Sequence, residues 1–514
     1  MTNKTTRKFT ALILTAAVFI FPSCNETEPE PELELETRSF WAVNFTTGEY
    51  YKTQAELLVE GAHCKVWVEK STTNGLEAAQ KTADAYDNRI YQKILDAFDG
   101  VGKVSTEKGV AGNIMEFADY LADSDKKLTI LLLDIIDGYK GTNDSYTGGY
   151  FSYSDIMGGK NYPNSNLTDM IYIDTYPNEP GSESSNKTLA HEMQHLMNFT
   201  TSWVKRLYGN TIYALDLWID EGLSSAAEYV YMGSKGSDRL WWFNNDMEGT
   251  IARGNNFYVW GNNTGKDNSI LDEYATVYMF FQWLRIQKEA EIYKKIIVSR
   301  QYDYKAVENA FNAGAGTTMQ WEDILKSWFA ANYFNNATGL YGYKGEPDFK
   351  EIKTNFAPVG PTIKLLPEEG VYSAVVNGDK NISAYTSGSG ANIKYAGLSG
   401  NAISGITATA GGALLTFNSN TTSRFQTEAE VNATLETGNL TNETPAEPEK
   451  NSLFSITQTP AGAGPFRIDA RDILARNTSG STALHPKNAS VSGALTIDAG
   501  RLLYNVKTEE QNEK

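Results

Sequence analysis

The sequence predicts an α+β fold: a mixed sheet, then a mostly helical half, then an all-β module of sandwich type. Three observations carry this. Strand-like runs around one amphipathic helix fill residues 38–184. Helical periodicity dominates from 185 to about 345 and opens on His191-Glu192-Met193-Gln194-His195. After Pro358-Val-Gly-Pro361 the composition shifts to Gly, Ser, Thr, Asn and Ala, and that periodicity stops.

The chain can be taken in order. Lys4, Arg7 and Lys8 precede an apolar run, Phe9–Phe21, that suits an export signal and is too short to span a bilayer. It ends at Ser23-Cys24, which resembles a bacterial lipoprotein signal. That resemblance implies a signal peptide over 1–23 and a lipid on Cys24 that anchors the chain to a membrane, outer membrane or cell surface. Residues 24–37 form an acidic, Pro-containing tether that cannot bury a core. Cys64 is then the one remaining thiol, so no internal disulfide framework is expected.

Strands are expected at Ser39–Phe45, Ala55–Glu60 and Lys65–Glu69, with a helix over 76–98. Lys127–Asp134 is a continuous apolar run, as in a strand covered on both faces. Gly148–Tyr153 reads as an edge strand that could pair with extended substrate, and Met170–Asp174 as another strand. Helices follow at Tyr213–Tyr231, Leu271–Gln287, 289–300, Lys305–Ala313 and Gln320–Phe334. The expected boundaries are an N-terminal α/β subdomain over 38–184, a helical subdomain over 185–353, a linker over 354–362 and a β domain over 363–514.

Net charge is −18, with no Lys/Arg run beyond the first few residues, which argues against nucleic acid as a partner. The acidity is that of a soluble surface.

The chemistry concentrates at H-E-x-x-H. Residues four apart on a helix share a face, so His191 and His195 present two imidazoles to one point, as Zn²⁺ requires. Glu192 falls beside them as a base. Leu189, Met193, Leu196 and Met197 form the opposite, apolar side. A catalytic zinc needs three protein ligands and an open position. A histidine at 201 would mark a metzincin, but Thr201 stands there. The next helix carries Leu217-Trp-Ile-Asp-Glu221-Gly-Leu-Ser-Ser-Ala-Ala-Glu228. Its wheel sets Glu221, Ser224, Ser225 and Glu228 opposite Ile219, Leu223, Ala226 and Val230, at about 100° per residue.

H-E-x-x-H followed by W-x-x-E-G resembles the gluzincin metallopeptidases. Thr188–Phe199 with Trp218–Tyr229 is most similar to the hyicolysin family (peptidase M30). The resemblance runs from roughly residue 40 to 345 and is most specific over about 185–231 and at Tyr274. It implies a zincin-like catalytic domain with one catalytic Zn²⁺, Glu221 as third ligand and Glu228 orienting a ligand histidine. Asp220 stands where many relatives carry Asn, and is a rival ligand. Asp272–Phe281 resembles a family segment whose tyrosine stabilises an oxyanion. Tyr274 is the candidate, with Tyr278 behind it. His63 and His485 lack partners at metal spacing.

The expected function is therefore a lipid-anchored zinc metalloendopeptidase acting on protein or peptide, with Glu192 as general base. The alternative is an inactive surface lipoprotein of the same fold that binds glycan or protein. The presence of His191, Glu192, His195 and Glu221 together argues for the first. The C-terminal module is a candidate glycan- or protein-binding element.

Overall fold

Leu128–Leu133 is buried at all six positions, because it has a strand on either side and packed side chains on both faces. It is the fourth strand of a six-stranded sheet. The order is Thr37–Asn44, Glu49–Glu60, Cys64–Glu69, Leu128–Leu133, Met170–Asp174 and Gly149–Phe151. The central pairings are parallel and the outer ones antiparallel. Side chains alternate between two cores with the strand period of two. Ile130 and Leu132 face the helices, and Leu131 and Leu133 face a smaller cluster with Phe40, Trp67, Tyr150 and Tyr172.

This computed structural model describes residues 35–101, 117, 125–141, 146–157, 160–207, 215–234, 237–246, 251–254, 257–259, 270–314, 316, 318–423, 428–441, 467–468, 496–498 and 501–503. The signal segment, Cys24, most of the tether and His485 lie outside the described residues. Among the described residues no helix is long and apolar enough to cross a membrane.

The sheet curls until the Tyr150 side chain of its last strand reaches its first strand. Val43 donates its backbone N–H to Tyr150 Oη at 3.2 Å, and the Phe45 and Tyr150 rings meet edge-on at 5.1 Å. Below this seam lies a buried polar knot. Asn166 accepts from the Trp41 N–H, and the two hydrogens of its amide have Trp41 O, Asp155 Oδ1 and Tyr172 Oη within reach. Tyr172 Oη lies 2.8 Å from Asp155 Oδ2 and 2.9 Å from Trp41 O. One phenolic hydrogen cannot serve both oxygens. Tyr172 therefore donates to Asp155 Oδ2, and Trp41 O is served by the Asn166 amide. Burial pushes the Asp155 carboxyl up to about 7, against the lowering effect of the hydrogen bonds it accepts from Tyr172 and Asn166.

The expected helix over 76–98 forms as Gly75–Ala85 and Tyr91–Phe98, joined by a wider turn at Tyr86–Ile90. The motif helix, Glu183–Leu207, packs on the outer strand. A Cβ on Gly149 would meet Thr188 Cγ2 at 2.7 Å, so only glycine allows the contact. The partner helix, Leu217–Met232, lies against the motif helix and against the tyrosine helix, Ile270–Lys288. Trp218 heads it and is buried in an aromatic cluster with Phe257, Tyr258, Phe280, Phe281 and Trp321. Helices at Glu291–Val298, Tyr304–Asn312 and Trp321–Phe334 complete this half. Cys64 is buried and burial pushes its thiol up, which suits an inert residue.

Beyond residue 361 antiparallel strands take over. Four of them run in the order Ala402–Ser404, Ile393–Ser399, Ala413–Asn418 and Gly370–Ala374, and Thr362–Leu365 pairs with Glu436–Asn439. One face of the sheet continues the core of the helices: Tyr372 and Phe417 pack on Phe329. The other face holds a separate apolar cluster with Val371, Ile393, Tyr395 and Leu414.

Candidate metal centre

The motif helix and the partner helix meet through their polar faces, and the two imidazoles converge on one carboxylate. His191 Nε2 is 3.3 Å and His195 Nε2 is 3.4 Å from Glu221 Oε2. Donors held about 2.0–2.1 Å from one tetrahedral ion lie about 3.3–3.4 Å from each other, so the spacing is that of a shared zinc ligand set. One donor atom from each of the three residues lies within 4.8 Å of the other two, and all three residues are buried. Among the described residues this is the one such group of three. Two imidazole nitrogens and a carboxylate oxygen are also the donor chemistry zinc prefers. The residues therefore fit a catalytic Zn²⁺.

The opposite edge of each imidazole is held by other groups. His191 Nδ1 is 3.0 Å from Glu228 Oε1. His195 Nδ1 is 2.9 Å from Ser224 Oγ and 3.2 Å from Asp220 Oδ1. With each Nε2 given to the metal, each Nδ1 carries hydrogen and donates outward, which fixes the tautomer. Ser224 can then pass its own hydrogen to Gln194 Oε1 at 2.5 Å or to Asp220 O at 2.9 Å. Asn198 closes the set by donating to Asp220 Oδ1 at 2.5 Å and exchanging hydrogen bonds with Gln194.

This arrangement separates the two neighbouring acids of the partner helix. Glu221 reaches the Nε2 side of both histidines, whereas Asp220 sits at the Nδ1 side of His195. Glu192 is buried beside them at 2% exposure. Tyr274 is fully buried, with its ring centre 6.4 Å from that of His191. Tyr278, one turn on, packs with its ring 6.4 Å from Phe349. His63 stacks on Tyr91 at 3.9 Å.

Four participants were not picked out by sequence reasoning. Ser224 was placed on the polar face but without a contact. Gln194 and Asn198 are polar residues one turn apart on a helix buried on most sides, and that mismatch is the signal that could have found them. Arg239, in the helix Ser237–Asn245, carries no sequence signal.

Comparison with known proteins agrees with this chemistry. The chain is 30% identical over 344 residues to the neutral metalloprotease ShpI of Staphylococcus hyicus, which covers 65% of this chain and 70% of that protein. No protein-family model matches the sequence.

Proposed function

Because the chain belongs to the hyicolysin family of zinc metallopeptidases, we propose that it hydrolyses peptide bonds in protein substrates outside the cell, with Glu192 as general base. The observation that carries the reading is the convergence of His191 Nε2 and His195 Nε2 on Glu221 Oε2.

His191, His195 and Glu221 would hold the ion. Zinc bound there supplies Lewis acidity, lowering the pKa of water and polarising a carbonyl. Glu192 takes a proton from the attacking water and delivers it to the amine nitrogen as the C–N bond breaks, so one water yields one acid and one amine. Glu228 and the Ser224–Asp220 pair hold the two imidazoles in orientation. Tyr274 is the proposed donor to the oxyanion, on the strength of its place beside His191.

An extended substrate segment adds to Gly149–Phe151. Two features support this: that strand stands last in the sheet order, and it lies against Thr188, one turn before His191. Export and lipid attachment at Cys24 rest on the N-terminal sequence alone. Both faces of the C-terminal sheet are covered by apolar clusters, so a glycan- or protein-binding role there falls to its loops and edges.

The test is Glu192→Ala. The variant should bind about one zinc per chain, as wild type does, and fail to cleave a denatured protein. Retained cleavage rejects Glu192 as the base.

A further inference from the structure

Arg239 lies outside every motif, yet its side chain enters the metal centre from a third helix. It is 4% exposed. Its Nη2 stands 3.3 Å from Glu228 Oε1, the same oxygen that lies 3.0 Å from His191 Nδ1. Its guanidinium carbon stands 4.5 Å from the centre of the Tyr274 ring, in cation–π range. One buried cation therefore touches the two groups that flank His191: the carboxylate on its Nδ1 side and the phenol beside its ring.

We propose that Arg239 is a positioning residue of this centre, setting Glu228 and Tyr274 in register around His191. The proposal rests on the zinc-peptidase reading above. Its physical basis is the shape of the guanidinium. The planar group donates to the carboxylate while its central carbon lies over the ring, so both are fixed by one rigid body. Glu228 Oε1 is drawn between two N–H donors and cannot drift from His191 without giving up one of them. A lysine ammonium supplies charge but neither the plane nor the fork. The simpler account is that Arg239 only offsets the burial of the Glu228 charge. That account predicts a loss of fold stability and nothing else.

The test compares full-length wild type, Arg239→Met and Arg239→Lys. Zinc affinity is measured by chelator competition, melting is followed on the metal-free proteins, and kcat and KM are measured with saturating zinc. For Arg239→Met, zinc affinity should fall about 10–100-fold, the usual effect of losing a group that orients a ligand. kcat should fall while KM stays within about twofold, since Tyr274 acts on the transition state rather than the bound substrate. Arg239→Lys should fall between the two. Zinc affinity and kcat equal to wild type in a destabilised Arg239→Met would overturn the proposal. If Arg239→Met does not fold, unchanged zinc affinity and kcat in Arg239→Lys overturn it. A wild-type chain that binds no zinc rejects the underlying reading as well, so the two failures are distinguishable.

Discussion

A Cβ placed on Gly222 would lie 2.2 Å from the Phe281 ring. The glycine that follows Glu221 is therefore what lets the partner helix and the tyrosine helix touch. That contact sets the depth at which Glu221 meets the histidines and Tyr274 meets His191.

Gly222→Ala should accordingly destabilise the protein by about 1–3 kcal/mol through overpacking, despite the higher helix propensity of alanine. Phe281→Leu should recover part of the loss. The two changes should couple by about 0.5–3 kcal/mol in a double-mutant cycle read from denaturant melts. Additive effects would show that the helices are not held at this point.

The two adjacent acids of the partner helix should respond differently. Asp220→Asn keeps an oxygen for His195 Nδ1–H and should weaken zinc binding by no more than about tenfold, at the mild end for a group behind a ligand. Glu221→Ala removes the proposed third ligand and should abolish stoichiometric zinc binding at micromolar protein. Chelator competition on the two variants checks this. The reverse order would make Asp220 the ligand.

Asp155 should give folding stability an unusual pH slope. Its carboxyl is raised in the folded state to about 7, against an ordinary value of 3.8. The folded protein then binds more protons than the unfolded chain between those values. The contribution of Asp155 is thus fully present below about pH 4, declines as pH rises and levels off above about pH 7. At about 1.4 kcal/mol per unit, the change is at most about 4 kcal/mol. Asp155→Asn mimics the neutral acid and should remove this slope. Melting at a series of pH values reads it, and an unchanged slope in the variant would place its origin elsewhere.

Much of this protein is written in local spacing. A turn of helix places His191 and His195 on one face whatever surrounds them, and an unbroken apolar run such as Leu128–Leu133 demands cover on both sides. The body of each expected helix, the central strands and the polar front of the partner helix are legible for the same reason. Packing decided the rest. Whether Glu221 or Asp220 meets the Nε2 side depends on the angle and depth at which two helices cross, which Gly222 and the aromatic cluster around Trp218 set. The reach of Tyr150 from the last strand to the first comes from the accumulated curl of six of them. Arg239 reaches His191 through Glu228, across three helices. Such relations join residues far apart along the chain, and no period along it encodes the distance between them.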